Sequence, residues 1–519
     1  MKKILYYIFA VALTISMASC YSDDSTSSDG TIGDITVSGI ENSYAKTAYM
    51  GERLTISPKV ESNEDLTYTW LLISSQAGSI DAAGDTIQPT VIGHEKDLDY
   101  EVNIAPATYT VRFIATGKSG YSVYEQAQLV VRTDFSQGFY VLKETADGNT
   151  DVDLLTLDGK KGNDILANMD GEPMSGKPLT LCPVYSTAYI DDETDQMTYD
   201  NAICITTDKG GLRVSRATDF KQVLGRSNIE YEEMDADEQP YAFFSTAFYN
   251  CMSTNKGLYH TYPGGGYFGE SSGQYGMPVS DCGGSRFLFS SPKDYGTGTL
   301  WDEDAHSLLA FDYNLGTSPL VYSDMTGEED TQNLTNYECL HCGLNNLSIG
   351  RNGLFVLQDN ASSKRYLYQV RSRFAGCYLT SRTAFKAGSH LANASYYATN
   401  ANSASYIYCV DGGKLYAANF MADLDEIELK PEGIGSGETI NFVANQVWAY
   451  AYGATDTFDY LIVGTQSGDS YKLYFYNTNG GAPVGEPVFT MEGKGTVKGV
   501  RFLNDSAPMS GFYAFNAND

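Results

Sequence analysis

The stretch Gly353-Leu354-Phe355-Val356-Leu357, followed after a polar turn by Tyr366-Leu367-Tyr368, is the clearest copy of a pattern that recurs through most of this chain. It reads as an apolar strand, a turn and a second strand rich in Tyr and Leu, which predicts a β-hairpin. Similar pairs recur along the chain, and their first strands begin near residues 139, 203, 249, 308, 353, 406 and 460. Seven copies, the later ones about 50 residues apart, predict a β-propeller, because each four-stranded blade buries its faces only by packing against its neighbours.

Two further features favour the propeller. No sustained helical periodicity interrupts the series, so α/β enzyme folds with a parallel sheet are disfavoured. The run from Gly495 to Phe502 is expected to add a strand to the first blade and close the ring, which removes exposed edges. A tandem of β-sandwiches is the alternative interpretation of the repeat.

The region before the repeat has a different pattern. From Asp34 to residue 133, short strand-like runs alternate with turns, and about 100 residues of this kind favour an immunoglobulin-like sandwich. The prediction is an all-β chain in which a sandwich (34–133) precedes a propeller of about seven blades (134–519). Residues 1–19 are assigned to a signal peptide and residues 20–33 to a flexible tether.

The N-terminus predicts export. Met1-Lys2-Lys3 precedes an apolar run of about a dozen residues, which is shorter than the roughly 20 that span a bilayer. Ala18-Ser19-Cys20 resembles the lipobox of bacterial lipoproteins, although Met17 stands where Leu is usual, so Cys20 is expected to carry a diacylglycerol. An ordinary secretory signal is the alternative. Ser22-Asp23-Asp24 is similar to the acidic signal that directs Bacteroidetes lipoproteins to the outer leaflet, or else belongs to a solvated linker.

The charge and the motifs of the chain exclude several classes of function. It contains 65 acidic and 34 basic residues, a net charge of −31, and lacks the basic footprint that nucleic-acid binding requires. It shows no zinc-protease, serine-hydrolase or P-loop motif, so we predict no enzymatic activity and no cofactor. A hydrolase with a pair of carboxylates is the alternative. Cys339-Leu340-His341-Cys342 has no second cluster at a suitable distance, so no metal site is predicted.

One segment has the composition of a ligand-binding loop. Between two predicted blades, residues 260–278 combine many glycines with aromatic side chains, which can stack on a planar or sugar ligand while glycine lets the backbone approach. The nearby Arg286 can supply positive charge to an anionic ligand. The alternative is an irregular insertion that packs on its own blade. The candidate ligand-binding residues are Tyr262, Tyr267, Phe268, Tyr275 and Arg286.

Short motifs in the first third of the chain resemble a known family. Tyr68-Thr69-Trp70 followed by Thr108-Tyr109-Thr110-Val111 is similar to PKD-type modules, in which a strand ending in Trp packs against the late strands. The join from Gly138-Phe139-Tyr140-Val141-Leu142-Lys143 to Asp153-Leu154-Leu155 looks like that of the PKD-like lipoproteins of Bacteroidetes. The WDFGDG-like loop of PKD-type modules is absent, so the chain resembles only the divergent branch.

This resemblance implies an accessory lipoprotein of a nutrient-uptake locus, anchored in the outer membrane and facing the cell exterior. Such a protein would capture a ligand by non-covalent binding, with a ferric siderophore as the best expectation, and pass it to a TonB-dependent outer-membrane transporter. The alternatives are a glycan- or peptide-binding protein of a SusC/SusD-type system and an adhesive or structural surface protein. A siderophore binder should have a concave pocket with Arg or Lys among aromatics, and a glycan binder an open aromatic platform with carboxylates.

Overall fold

The computed structural model describes residues 34–75, 77–80, 85–192, 194–264, 272–291, 294–346, 351–448, 457–504 and 515–516. These residues form mainly β-strands, which confirms the all-β prediction. The helices among them are α1 (Ile165–Asp170), α2 (His390–Asn393) and a 3-10 turn at Glu328–Asp330. None of these described helices is long and apolar enough to cross a membrane. The predicted signal peptide, the tether and the lipid-bearing Cys20 lie outside the described residues.

The described chain forms two compact units. The first comprises residues 34–44, 55–100 and 109–128, and the second comprises residues 45–54, 101–108 and those from 129 onwards.

Nine strands build the N-terminal sandwich. They are β1 (Thr36–Ser38), β2 (Ser43–Thr47), β3 (Arg53–Ile56), β4 (Lys59–Glu61), β5 (Leu66–Ile73), β6 (Thr90–Gly93), β7 (Leu98–Glu101), β8 (Thr108–Gly117) and β9 (Ser122–Arg132). One sheet has the order β2-β9-β8-β5-β6, and two-stranded ladders pair β1 with β4 and β3 with β7. Trp70 is fully buried with its ring 4.7 Å from that of Phe113, and its Nε1 donates to the Glu95 carbonyl oxygen at 3.0 Å. The predicted Trp-bearing strand is therefore the centre of the core.

Seven antiparallel sheets follow in the described part of the chain and confirm the propeller. Blade 1 contains β10 (Gly138–Glu144), β11 (Thr150–Leu155) and β12 (Lys161–Gly162). Blade 2 contains β13 (Pro178–Asp191), β14 (Gln196–Thr207), β15 (Leu212–Arg216) and β16 (Gln222–Gly225). Blade 3 contains β17 (Pro240–Ser245), β18 (Asn250–Thr254) and β19 (Gly257–Thr261). Blade 4 contains β20 (Leu288–Ser291), β21 (Thr297–Asp302), β22 (Ser307–Phe311) and β23 (Thr317–Pro319).

Blades 5 and 6 have the same meander order. Blade 5 contains β24 (Tyr337–Asn345), β25 (Arg351–Asp359), β26 (Lys364–Arg373) and β27 (Gly376–Ala384). Blade 6 contains β28 (Tyr396–Thr399), β29 (Tyr406–Asp411), β30 (Lys414–Asn419) and β31 (Glu426–Leu429). Blade 7 contains β32 (Thr439–Trp448), β33 (Phe458–Ser467), β34 (Ser470–Asn479), β35 (Ala482–Pro483) and β36 (Phe489–Lys494). In blade 7 two strands, β35 and β36, pair with the third strand. Because the first strands of successive blades contact one another, they form the inner wall of the ring.

A late segment of the chain closes the ring, as the sequence predicts. β37 (Thr496–Leu503) pairs antiparallel with β10 and becomes the innermost strand of blade 1. β37 contacts β32 of blade 7 and β13 of blade 2, so the inner wall is continuous. The short β38 (Phe515–Asn516) pairs with β20 at the inner edge of blade 4. Closure in this way pairs the inner edge of blade 1, which would otherwise expose unpaired backbone groups.

The repeat seen in the sequence is the middle of each blade. The runs near 139, 203, 249, 353, 406 and 460 fall on the second strands, and the run near 308 falls on the third strand of blade 4. The sequence therefore missed most innermost strands as members of the repeat. Their pattern is weaker, because β13 changes register between Val184 and Thr187 and β28 has only four residues.

The hydrophobic core lies between neighbouring blades. Between blades 7 and 1, the ring of Phe139 lies 5.0 Å from the rings of Phe475 and Phe502. Similar clusters join blades 4 and 5, blades 5 and 6, and blades 6 and 7. Strands such as β10 are buried on both faces, which explains why they read as continuous apolar runs.

Buried asparagines link the ends of the innermost strands. Asn345 at the end of β24 donates from Nδ2 to the carbonyl oxygens of Asn400 at 2.5 Å and Ala404 at 2.8 Å. In the next pair of blades, the Ala401 N–H donates to Asn445 Oδ1 at 2.7 Å. These bonds satisfy backbone groups that leave the sheet and fix each blade against the next.

Candidate ligand-binding site

A cavity lies at the centre of the ring, at the edge where the innermost strands begin. Its volume is about 350 Å³, and residues from blades 1, 2, 4, 5 and 6 line it. A single cavity can touch five blades of a ring only near the ring axis, so we call it the axial cavity. Its lining residues are Pro178, Leu179, Arg286, Phe287, Leu340, His341, Arg365, Ala394, Ser395, Tyr396, Tyr397 and Lys498.

Three cations from three different blades line the axial cavity. Arg286 lies just before β20, Arg365 is in β26, and Lys498 is in β37. The described lining also includes three aromatic side chains and has no Asp or Glu. Positive charge in a concave site with low-dielectric walls attracts anions, so this composition favours an anionic ligand with apolar or aromatic surface.

Arg365 is held in place by its neighbours. Its Nη1 donates to the Ala394 carbonyl oxygen at 2.7 Å and to the Tyr397 hydroxyl at 2.9 Å, and its Nε donates to Gln358 Oε1 at 2.8 Å. The Tyr397 hydroxyl donates in turn to the carbonyl oxygen of Leu391. A guanidinium fixed in this way costs little entropy when a ligand arrives.

One carboxylate lies beside the lysine side of the cavity. Lys498 Nζ is 3.0 Å from Glu144 Oε2, and Lys177 Nζ is 3.4 Å from Glu144 Oε1. Burial raises the pKa of Glu144, but the two lysines outweigh burial and the pKa is lowered, so this carboxylate is ionised at neutral pH. Two cations for one carboxylate leave an excess of positive charge on this side.

A second carboxylate lies near Arg286. Glu303 accepts hydrogen bonds from Ser285 Oγ at 3.2 Å and from Trp301 Nε1 at 3.2 Å. Burial raises the pKa of Glu303, and the positive charge of Arg286 opposes that rise. The Arg286 guanidinium carbon also lies 4.7 Å from the ring centre of Phe287, which places a cation beside an aromatic face on the cavity wall.

His341 contributes a neutral imidazole to the cavity. Its Nε2 lies 2.8 Å from Thr399 Oγ1, and burial lowers its pKa from 6.5 to about 3. The side chain is therefore uncharged at physiological pH. Its neighbours Cys339 and Cys342 are free thiols. The described residues contain no group of three His, Cys, Asp or Glu side chains placed to hold a metal ion.

The structure separates the ligand-binding residues named from the sequence. Arg286 lines the axial cavity, whereas Tyr262 follows β19 at the opposite edge of the ring and is 40% exposed. Tyr275 is 3% exposed and packs against Phe243 in the core shared by blades 2, 3 and 4, so its ring does not face a ligand surface. Tyr267 and Phe268 lie outside the described residues.

The remaining cavity residues were missed by reasoning from the sequence. Arg365 lies in β26 and Lys498 in β37, far apart in the sequence, and they come together only because the closed ring brings both to the lining of one cavity. The pair Tyr396-Tyr397 begins β28, a short strand that the repeat did not include. Only the scarcity of basic residues, 34 in 519, singles such positions out in the sequence.

A different cluster of charges is buried in blade 1. Lys143 is fully buried, and its Nζ lies 2.6 Å from both Asp153 Oδ1 and Asp164 Oδ1. Asp153 also accepts a hydrogen bond from the Tyr471 hydroxyl of blade 7. Beside it, burial raises the pKa of Asp151 to about 6, and Asp151 Oδ1 accepts the Leu166 N–H at 2.9 Å at the start of α1. These carboxylates are used within the fold and do not converge on a cavity.

Comparison with known proteins links part of the chain to a family. The model of the PKD-like family matches residues 20–178, which include the sandwich and the first three strands of blade 1. A search of curated proteins finds no match.

Solved structures provide likenesses over most of the chain. A quinoprotein alcohol dehydrogenase-like protein from Bacteroides thetaiotaomicron has 13% identity and a TM-score of 0.46, with coverage of 89% of this chain and 96% of that one. A DUF4784 family protein from Bacteroides caccae has 8% identity and a TM-score of 0.31, with coverage of 76% and 95%. By the family model, the N-terminal part of this chain is similar to the PKD-like family.

Proposed function

We propose that this protein is a lipid-anchored surface protein of the outer membrane that captures an anionic ferric siderophore in the axial cavity and passes it to a TonB-dependent transporter. The observation that carries the proposal is the convergence of Arg286, Arg365 and Lys498 with aromatic side chains in a lining without a described carboxylate. Ferric catecholate complexes are anionic and present aromatic rings, which suits both features.

The local charge supports this ligand class. The whole chain has a net charge of −31 and would repel an anion at long range. An excess of cations at one concave place therefore indicates a site that serves an anion. Neither the fixed guanidinium of Arg365 nor the neutral imidazole of His341 adds negative charge to the lining.

The size of the cavity supports a transfer role. At about 350 Å³ it is near the lower end of the 300 to 1,000 Å³ typical of small-molecule sites. A siderophore with three chelating arms is larger than such a cavity, so we expect part of the ligand to remain outside the protein. An exposed part is what a transporter needs in order to take the ligand over.

The first test is calorimetry of the chain from residue 21 onwards, which keeps every described residue, with a ferric catecholate siderophore. We expect saturable binding that weakens as salt is added, because salt screens the attraction between opposite charges. The iron-free siderophore and a neutral ferric trihydroxamate are the controls and should bind more weakly. Equal binding of all three would contradict an anion-selective site, and no binding of the ferric catecholate would disprove the proposal.

Trp301 offers a way to locate the ligand. It contacts Glu303 at the cavity edge of the ring, whereas Trp448 ends β32 at the opposite edge. A coloured ferric complex in the axial cavity should therefore quench Trp301 more strongly than Trp448. We expect Trp301→Phe to remove most of the quenching and to leave the calorimetric affinity unchanged. Quenching that survives this substitution in full would place the ligand elsewhere.

The anchor is tested separately from the ligand. We expect wild-type cells to incorporate an azide-labelled fatty acid into the protein, and Cys20→Ser to abolish the label and release the chain from the membrane fraction. Protease added to intact cells should digest the wild-type protein if it faces the exterior. An unlabelled wild-type protein would refute lipid attachment without affecting the ligand assignment.

A further inference from the structure

A second region with the character of a site lies at the edge of the ring opposite the axial cavity. Six aromatic side chains of blades 3, 4 and 5 follow one another there, and we call them the aromatic stripe: Tyr262, Tyr249, Phe248, Tyr313, Tyr295 and Phe374. All six lie in turns that follow the first or third strand of their blades. Because neighbouring strands run in opposite directions, these turns share the edge at which the innermost strands end.

The stripe is continuous from blade 3 to blade 5. The ring centre of Tyr262 lies 5.2 Å from that of Tyr249, which lies 6.4 Å from that of Phe248. Phe248 lies 6.0 Å from Tyr295, and Tyr295 lies 4.8 Å from Phe374. Five of the rings therefore form a row in which each contacts the next and which crosses two blade boundaries. The sixth, Tyr313, lies beside this row with its ring centre 5.8 Å from that of Phe248.

Three members of the stripe are exposed to solvent. Tyr262, Tyr295 and Phe374 are 40%, 46% and 61% exposed, which is unusual for side chains of this size. Tyr249, which lies between Tyr262 and Phe248, is half-buried. It stacks on His260, with ring centres 4.2 Å apart and planes 18° apart. The exposed ring of Tyr262 therefore packs against a ring that is itself stacked on His260.

The turn that carries Tyr295 is fixed from beneath. Asp294 is 3% exposed, lies 2.8 Å from Arg351 Nη1 and accepts a hydrogen bond from Ser372 Oγ at 3.0 Å. Its charge is compensated by Arg351 of blade 5. The exposed polar side chains beside the stripe include those of Asp312 and Asn314, which flank Tyr313, and that of Arg373, which precedes Phe374. Asp312 Oδ1 accepts the N–H groups of Asn314 at 2.8 Å and Gly316 at 3.0 Å, which fixes its carboxylate in place.

We propose that the aromatic stripe is a second binding site, for a neutral oligosaccharide that extends across blades 3 to 5. Exposed aromatic faces can stack on sugar rings, and four of the six members carry a hydroxyl that can bind sugar hydroxyls. Asp312 and Asn314 add a carboxylate and an amide for the same purpose. This combination is an open aromatic platform with a carboxylate, in contrast to the basic concave lining of the axial cavity.

The charge of the molecule selects the neutral class. A chain with a net charge of −31 repels acidic polysaccharides and nucleic acids. The exposed Arg373 beside Phe374 is a single cation, too little to overcome that repulsion, and Arg351 is paired with Asp294. A protein partner would require a broad patch, since about 800 Å² per partner is buried in a stable complex. A single row of rings with polar tips matches a linear chain of sugars better than such a patch.

The test uses an array of neutral plant, fungal and host oligosaccharides with the chain from residue 21 onwards, followed by affinity electrophoresis in gels containing the polymer of the strongest hit. Polygalacturonate is the acidic control and should not slow the protein. We expect Tyr295→Ala and Phe374→Ala each to weaken binding about tenfold, because each removes one stacked ring. Tyr121→Ala is the matched control, since Tyr121 is 45% exposed in the other unit.

The outcomes separate this site from the axial cavity. Arg286→Gln should leave glycan binding unchanged, and Phe374→Ala should leave binding of the ferric catecholate unchanged. An array without a neutral hit, binding that survives both stripe substitutions, or a preference for the acidic polymer would overturn the proposal. Each of these results would leave the siderophore proposal intact, because the two sites lie at opposite edges of the ring.

Discussion

Blade 1 and the axial cavity differ in how carboxylates are placed around their cations. In blade 1, Lys143 is fully buried between two carboxylates at 2.6 Å, and one of these is bound in turn by a tyrosine hydroxyl. In the axial cavity, Arg286 and Lys498 line an open space whose described lining has no carboxylate. The first network is complete within the fold, whereas in the second the carboxylate that pairs with a cation, Glu144 at 3.0 Å from Lys498, lies outside the cavity lining.

In an acidic protein, this difference separates charged groups that stabilise the fold from charged groups that can bind a ligand. An acidic protein has many pairs of carboxylates, but those of blade 1 bind a buried lysine and the N-terminus of α1, so their role is structural. The informative feature is the rarer one, three cations brought together on the lining of one cavity. This distinction fails if the cations of the axial cavity serve only the stability of the fold, or if Lys143 of blade 1 can be replaced without loss of stability.

The largest expected effect is on stability and comes from blade 1. Lys143→Met should lower the free energy of unfolding of the propeller by about 3–5 kcal/mol, because it leaves the buried Asp153 without its counter-charge. Urea unfolding followed by tryptophan fluorescence measures the change. Lys386→Met is the control, since its pair with Asp425 is largely exposed, and it should change stability by less than about 1 kcal/mol. A Lys143 variant as stable as wild type would show that the buried network does not support the blade.

The second effect is on ligand affinity and comes from the cavity. The double variant Arg286→Gln, Lys498→Gln should bind a ferric catecholate about 100-fold more weakly, because two cations that face the anion are lost. Its free energy of unfolding should change far less than that of the Lys143 variant. The control is Arg53→Gln with Lys386→Gln, which neutralises two exposed cations elsewhere. Unchanged affinity in the cavity variant would remove the axial cavity as the site.

The third effect is on pH dependence and comes from His341. The pKa of His341 is about 3 in the folded protein, where the side chain is buried, and 6.5 when the side chain is exposed to solvent in the unfolded chain. Between these two pH values the unfolded state binds a proton that the folded state does not. Stability should therefore fall as the pH drops below 6.5, by about 1.4 kcal/mol over the first full unit in which the unfolded imidazole is charged. His341→Gln should lose this part of the slope. Identical pH profiles of the two proteins would contradict the burial of a neutral imidazole.

The smallest expected effect is on the association rate of the ligand and comes from Lys177, which directly precedes the cavity-lining Pro178. Lys177 is 63% exposed and lies 3.4 Å from Glu144, so solvent screens most of its charge. Lys177→Gln should reduce the association rate of the ferric catecholate about twofold and weaken the salt dependence, with little change in the dissociation rate. Stopped-flow quenching of Trp301 measures both rates. A large change in dissociation would mean that this lysine contacts the bound ligand directly.

The propeller could be predicted because its signal repeats. The second and third strands of most blades are buried on both faces, so Leu354 to Leu357 and its counterparts read as apolar runs at a regular period. The closing strand could be predicted as well, since one blade needs a partner for its inner edge. The innermost strands were missed because they are short or bulged, and their contacts come from neighbouring blades rather than from sequence neighbours.

The candidate site could be predicted only in one residue. Arg286 was found because it follows a Gly-rich segment that is rich in aromatics. Arg365, Tyr397 and Lys498 are separated by more than 100 residues from end to end, and no local pattern connects them. Tyr275 has the composition of a binding residue but lies in the core, because a tyrosine ring fills space between blades as readily as it stacks on a ligand.

The position of β37 has a consequence for when the protein becomes competent to bind. Lys498 belongs to the strand that closes blade 1, so the charge that faces the axial cavity and the final piece of its wall are synthesised after all seven blades have begun. A chain that is still on the ribosome or threading through an export channel lacks both. Under the proposed function, ligand loading would be confined to molecules that have been completed and folded. A protease cut before residue 496 that frees the last strand would then abolish capture, because it removes Lys498 from the cavity lining.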